Sequence, residues 1–269
     1  IKSIKTSLDI LSFFSNETPN IGVTEISNKL GLSKSTVSRI LSTLEQSNFV
    51  TKIPANQKYR LGPKVLELAN IFLSSIEWRT IAIPHLKDLR DQTDETIMIF
   101  VIDGDHRICL EKFESSHELR PFLNIGSRYP LHAGSAGKLL LAHLPNDERK
   151  AILLRTGLPR FTSNTITNFR DLEKELAEIC QRGYAVSNQE RVPFLSSVST
   201  PIRDFQGKVI SALCVDGPTV RFTPKKVEEF IKLAIETADR ISKEIGYKLE
   251  RTMKSQAGGK SNLRQRKSN

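Results

Sequence analysis

The chain of 269 residues is 38% hydrophobic and 26% charged, which fits a folded protein of about two domains and excludes a fibrous or wholly disordered one. No apolar run approaches the roughly 18 residues of a membrane helix. No segment has the layout of a secretory leader, and Cys109, Cys180 and Cys214 stand in no disulfide or zinc spacing. The net charge of +10 sits at the ends. Residues 1–75 hold nine Lys/Arg against five Asp/Glu, residues 76–250 balance to zero, and residues 251–269 hold six basic residues and no acidic one. A cytoplasmic protein with a polyanion-facing head is the expectation.

The spacing predicts a first helix in "SIKTSLDILSFFS", with Ile4, Leu8, Leu11 and Phe14 on one face. After the loop "NETPNIG", the stretch "VTEISNKLG" reads as a helix with Thr24 as N-cap and Gly31 at its C-terminus. Ser33 then caps a third helix, which aligns Val37, Ile40, Leu41 and Leu44 on one stripe. The strands "FVTKI" and "KYRLG" flank the turn "PANQ". Helix, turn, helix and hairpin make a winged helix over residues 1–62. An apolar helix follows over Gly62–Trp78, with Pro63 in its first turn and Leu66, Ala69, Phe72, Leu73 and Ile76 on a wide face. It reads as a linker, residues 63–79, that also offers a dimer surface.

A mixed α/β domain is expected over residues 80–251. Its helices are predicted at Ile81–Gln92, at "KLLLAHL", from Asp147, over Asn168–Arg182 and from Pro224 to about Arg251. Its strands are predicted at Thr96–Ile102, Arg107–Phe113, Arg120–Asn124, Tyr184–Ser187, Ser197–Arg203 and Lys208–Asp216. Residues 252–269 form a basic tail without core-forming residues beyond Leu263 and are expected to be disordered.

The third helix turns an unusual face outward: Ser35, Ser38, Arg39, Ser42 and Gln46 in place of the long charged residues that usually solvate a helix. Only the major groove of B-DNA admits a helix, and a helix that enters needs short side chains where its backbone comes near. Ser33, Ser35, Thr36, Ser38 and Ser42 are short enough to bond phosphates or base edges. Arg39 is long enough to fork onto a guanine, and Lys34 at the helix start suits a phosphate. Lys52, Lys58 and Arg60 flank the wing, and Thr24 on the preceding helix completes the expected DNA-contacting set.

The neutral second domain offers no catalytic constellation. "HAGSAGKL" fails the phosphate-loop pattern at His132 and Leu139, and no GxSxG elbow surrounds Ser135. Asp103 and Asp105 in "DGDH" read as a solvated hairpin turn, and no histidine has ligand spacing, so no metal or cofactor is expected. "LHAGSAG" runs into a helix, so backbone N–H groups around Gly134 and Ser135 are expected to form a small nest for an anion or hydroxyl.

"SLDILSFFS…GVTEISNKLGLSKSTVSRILSTLEQSNFVTK…KYRLGPKVLELA" resembles the N-terminal domain of IclR-type bacterial transcriptional regulators. "GSRYPLHAGSAGKLLLAHLP", "RGYAVSNQE" and "GKVISALCVDGPTVRFT" resemble that family's ligand-binding domain in order and spacing. The resemblance covers residues 4–250. It implies a winged helix, a linker helix and a GAF-like effector-binding domain, acting as a dimer or dimer of dimers on a pseudo-palindromic operator, with repression as the output. It also implies an effector site at Gly134, Ser135, Asn188, Ser197, Cys214 and Asp216. The chain departs from the family where Phe194, Ser197 and Asp216 stand in place of a glycine, a cysteine and a small hydroxyl residue. Phe194 there fills volume or stacks on a ligand, and a carboxylate at Asp216 would repel a simple acid and favour a polyol, an amine or an acid held away from it. Two other readings stay open: an enzyme with an appended nucleic-acid-binding module, and a constitutive architectural DNA binder.

Overall fold

The computed structural model describes residues 1–15 and 17–248. The predicted basic tail, 252–269, lies outside the described residues. The chain forms two compact units, Ile1–Thr80 and a second beginning at Ile81.

In the first unit, α1 (Lys2–Leu11), α2 (Val23–Leu30) and α3 (Lys34–Gln46) precede the hairpin of β1 (Val50–Lys52) and β2 (Tyr59–Leu61), and α4 (Pro63–Ser74) follows. Ile10, Ile21, Ile26, Val37, Leu41, Val50 and Tyr59 form its core. The expected face of α1 is divided. Leu11 and Phe14 pack against the core while Ile4 and Leu8 are exposed, and Ile10 takes the buried position. The start of α2 also differs from expectation. Gly22, not Thr24, is its N-cap, and Glu25 reaches back to accept from the Gly22 amide at 2.9 Å. A carboxylate three residues into the helix supplies the capping partner, so Thr24 is left exposed in the first turn. Gly31 ends α2 in the left-handed region, and the Ser33 hydroxyl caps α3 by accepting from the Thr36 amide at 3.2 Å.

α5 (Glu77–Thr93), all but its first turn in the second unit, leads into β3 (Thr96–Asp103) and β4 (His106–Phe113). The next strand, β5, is Arg128–Pro130, not the predicted Arg120–Asn124. The latter segment is irregular, its bonding partner on β4 being supplied by Arg128 and Tyr129 instead. Then come α6 (Ser135–Ala142), α7 (Asn146–Thr156), α8 (Phe169–Arg182), β6 (Ala185–Asn188), β7 (Leu195–Arg203), β8 (Val209–Pro218) and α9 (Pro224–Glu244). α9 ends at Glu244, short of the predicted Arg251, because the chain turns at Ile245 and Gly246.

The strands pair antiparallel throughout in the order β5-β4-β3-β8-β7-β6. α6 and α8 pack on one face, where Met98, Phe100, Leu139, Leu176, Ala212 and Cys214 share a core. α9 covers the other face, with Thr200 donating to the Ala234 carbonyl at 3.1 Å. Successive strand residues point to opposite faces. Cys214 and Asp216 therefore look toward α6, together with their register partners Ser199 and Ser197. No helix among the described residues is long and apolar enough to cross a membrane.

Replacing Ser33 with Ala removes the only side-chain cap on α3 and is expected to lower the urea stability of the first unit by about 1 kcal/mol, whereas Ser33→Asp restores the acceptor and the stability.

Candidate functional site

On the first unit, Ser33, Lys34, Ser35, Thr36, Ser38, Arg39 and Ser42 are all exposed. The Ser33 hydroxyl lies 2.9 Å from that of Ser35 and 2.8 Å from that of Thr36, which knits three of them into the helix start. The side chains of Lys34, Ser38, Arg39 and Ser42 make no hydrogen bond or ion pair among the described residues. At the wing, Lys58 donates to Glu25 at 2.8 Å and braces the hairpin against α2. That hydrogen bond holds the Glu25 carboxyl below its ordinary range. Lys52 lies over the Tyr59 ring at 6.0 Å and, with Arg60, remains exposed.

On the second unit, Gly134, Ser135, Ser197, Cys214 and Asp216 line one cavity of about 30 Å³, joined by Phe100, Arg107, Leu123, Ser187 and Arg191. Asn188 and Phe194 lie outside it. Ser187, not Asn188, is the register partner of Ser197, and the period of two along a strand sends Asn188 to the other side. There it accepts from the Ser196 hydroxyl. Phe194 sits at a φ of +63° and is 76% exposed.

The expected nest at Gly134 is already filled. Its amide donates to the Glu190 carboxylate at 3.1 Å. The other oxygen of that carboxylate accepts from Lys138 at 2.6 Å. Lys138, 2% exposed, also donates to Glu175 at 3.0 Å and to the Val186 carbonyl at 3.1 Å, so all three of its protons are placed. This network ties α6 to α8 and to the β6–β7 loop that carries Arg191. Ser135 lies 2.7 Å from the Ser197 hydroxyl and 2.8 Å from that of Ser199. His132 is turned away, its Nε2 3.0 Å from the Pro159 carbonyl and its ring stacked on Phe161. Burial holds the His132 imidazole below its usual pKa and pushes the Cys214 thiol up to about 12. His132 is thus not placed to act as a base on Ser135, and the Cys214 thiol keeps its proton at neutral pH.

Two residues missed from the sequence dominate the cavity's charge. Arg107, on β4, is 4% exposed. It lies beside the edge-to-face pair of Phe100 and Tyr129, at 5.3 and 5.7 Å from their centroids. Its Nη1 donates to the carbonyls of Pro130 and Ala133, while its Nε has no partner among the described residues. A Cβ on Gly137 would lie 2.3 Å from that Nη1 and 2.4 Å from the Leu131 carbonyl, so the second glycine of "HAGSAG" is the space the guanidinium occupies. The Arg191 guanidinium lies over the same Tyr129 ring, at 4.7 Å from its centroid. Burial pushes the Asp216 carboxyl up to about 7, against the pull of Arg191 and Arg107. A buried arginine in "HRICL" is the signal that could have found the site, since every other inward residue of that strand segment is apolar.

The "DGDH" turn is occupied by arginines, Asp105 accepting from Arg155 at 2.6 Å and Asp103 pairing with Arg128.

Residues 3–54 match the family described as the IclR helix-turn-helix domain, and residues 71–243 match the one described as bacterial transcriptional regulator IclR C-terminal. The HTH-type transcriptional regulator KdgR of Escherichia coli (strain K12) is 33% identical over 231 residues, which cover 86% of this chain and 88% of that one. The transcriptional repressor IclR of the same organism is 28% identical over 244 residues, 90% of this chain and 89% of that one. The crystal structure of the Thermotoga maritima IclR superposes with a TM-score of 0.76 at 32% identity, over 91% of this chain and 99% of that one.

Lys138→Met is expected to lower stability by about 3–5 kcal/mol in chemical denaturation, because it leaves the Glu190 and Glu175 carboxylates without their buried cation. A loss under about 1 kcal/mol would mean that the two carboxylates are solvated.

Proposed function

This chain belongs to the IclR family of bacterial transcriptional regulators, a DNA-binding protein with a C-terminal effector-binding domain, and on that premise we propose how its own residues divide the work. α3 is the reader. The observation that carries this is the outward face on which Lys34, Ser38, Arg39 and Ser42 are exposed and unpaired, on a helix held rigidly by the core residues Val37 and Leu41. Arg39 reads a base edge, Lys34, Ser35 and Thr36 contact phosphate, and Lys52 and Arg60 track the backbone from the wing. Lys58 is a brace more than a contact, because its charge is already met by Glu25.

The reader acts in pairs. α4 exposes Leu66, Ile71 and Phe72 at 65, 60 and 58%, and α1 exposes Ile4 and Leu8. An apolar helix of this kind is stable in water only when covered, and a second copy of the chain covers it with two-fold symmetry. Two α3 helices then lie in successive major grooves of a pseudo-palindrome. The cavity around Arg107 takes the effector. Its two guanidiniums outweigh one carboxyl, so the chemistry favours a small organic anion over the polyol or amine that Asp216 alone would select. A ligand that binds one conformer of the dimer more tightly shifts the population competent for the operator. Repression is the proposed output, in keeping with the relative named a repressor.

The test is fluorescence anisotropy with DNA from upstream of the chain's own gene. Arg39→Ala is expected to lose about 1–3 kcal/mol of discrimination at one base position. Lys52→Ala is expected to weaken binding about equally on all sequences and to reduce the salt slope by about 1. An unchanged operator preference in Arg39→Ala would remove it as the base reader.

A further inference from the structure

Asp216 lies on β8 opposite Ser197 of β7 and Thr96 of β3, 8% exposed, with its carboxyl lining the cavity. The titratable groups around it come from four places. Arg107 faces it from β4 and Arg191 from the β6–β7 loop, Cys214 neighbours it on β8, and Glu95 approaches from the foot of β3. Glu95 is itself gripped by Arg221, at 2.6 Å to each oxygen. β7 and α6 add only the uncharged hydroxyls of Ser197 and Ser135. Neither arginine closes an ion pair on Asp216 among the described residues. Arg107 keeps an unpartnered Nε, and the Arg191 guanidinium lies over the Tyr129 ring with no hydrogen bond or ion pair among the described residues.

Resting on the reading of this cavity as the effector site, we propose that it takes an organic monocarboxylate together with one proton, the ligand's carboxylate seated on Arg107 and Arg191 and the proton held by Asp216. The reason is charge compensation. The two guanidiniums favour the ionised form of Asp216 against the burial that opposes it. An anion seated on them withdraws that compensation and sets two carboxylates side by side in a buried site, where both cannot stay charged. Arg107 does not relieve the strain by losing its own proton, since burial lowers its pKa only to about 10, above the pH range in question. An ordinary carboxylic acid is the stronger of the two acids, since burial has already brought Asp216 to about 7. The proton therefore goes to Asp216, whose O–H then donates to the ligand carboxylate, a short charge-assisted bond. No bond is made or broken beyond this proton transfer from solvent.

The sign follows directly. Below the pKa of free Asp216 the proton is already present and affinity is flat with pH. Above it each bound anion must draw a proton from water, and affinity falls by about tenfold per pH unit.

The experiment is titration calorimetry of the full chain with sodium D-gluconate, lactate and benzoate, each paired with its uncharged counterpart, sorbitol, propylene glycol or benzyl alcohol. The titrations run from about pH 6 to about pH 8.5, with two buffers of different protonation enthalpy at the upper end. The expected result is that one acid binds and its counterpart does not. That acid takes up about one proton per site at the upper end and loses about tenfold in affinity per pH unit there. Asp216→Asn, or Asp216→Ser should the first variant fold poorly, is expected to abolish both the proton uptake and the pH dependence. Either variant then binds the acid more tightly than the natural chain at the upper pH. Equal affinity across the range with no proton uptake, or a pH dependence that survives Asp216→Asn, overturns the proton-linked binding and leaves the effector cavity standing. Binding of the uncharged counterparts alone also overturns it and again leaves the cavity standing. If no compound binds and none alters operator affinity, the effector reading of the cavity falls with it.

Discussion

Burying a guanidinium costs several kcal/mol unless its charge and donors are met where it goes, and Arg107 is met only in part. It rests against the adjoining rings of Phe100 and Tyr129, and one nitrogen is met by the carbonyls of Pro130 and Ala133. The remaining charge is balanced across the cavity by Asp216. Much of the local structure follows from that one placement. Gly137 must be glycine because the guanidinium fills the volume of its Cβ. The chain at 128–134 must run close enough to lend its carbonyls, and this accounts for β5 forming there. A site built this way holds two guanidiniums against one carboxyl, and the proposed preference for an anion rests on that excess.

The second buried cation behaves oppositely. Lys138 spends its three protons on Glu190, Glu175 and Val186 and has nothing left for a ligand. Its neighbour Glu190 also takes the amide at the start of α6, which in another protein would be offered to an anion. The pair therefore acts as a fixed frame for the moving charge beside it. α6, α8 and the loop bearing Arg191 are held in one arrangement, and the charges that line the cavity are those of Arg107, Arg191 and Asp216. The loop itself runs between two residues in the left-handed region, Gln189 and Phe194, neither of them glycine. Thr162 and Thr165 hold its carbonyls, at 2.6 Å to Gln189 and 2.6 Å to Glu190.

The winged helix was almost fully legible in the sequence because its signals are local: Ser33 before an apolar stripe, Gly31 after another, and a turn between two short strands. Where it misled, the cause was a competitor of the same kind, as when Glu25 rather than Thr24 supplied the capping partner of α2. α1 failed differently. A helical stripe shows which residues share a face, not how much of that face is covered, and here Ile4 and Leu8 are left out. The cavity was half legible. Gly134, Ser135, Ser197, Cys214 and Asp216 were found, all but one of them small residues in recognisable segments. Asn188 was chosen one position away from Ser187, a slip that inverts the face on a strand. Arg107 was not found because nothing near it in sequence is near it in space: Gly137, Arg191 and Asp216 are brought to it only by the sheet order. For the same reason the charge of the site was read from Asp216 alone, without the two arginines that share its cavity.

The central claim is that Arg107 couples a ligand to DNA binding, and the most direct measurement compares operator release in the natural chain and in Arg107→Gln. Both proteins would be bound to the same labelled operator, followed by anisotropy, and titrated with the acid that binds most tightly. The account predicts that the two hold the operator with similar affinity, since Arg107 lies on the second unit, and that the acid shifts the affinity of the natural chain and not that of the variant. A variant that folds, binds the operator and still responds to the acid over the same concentration range would contradict it.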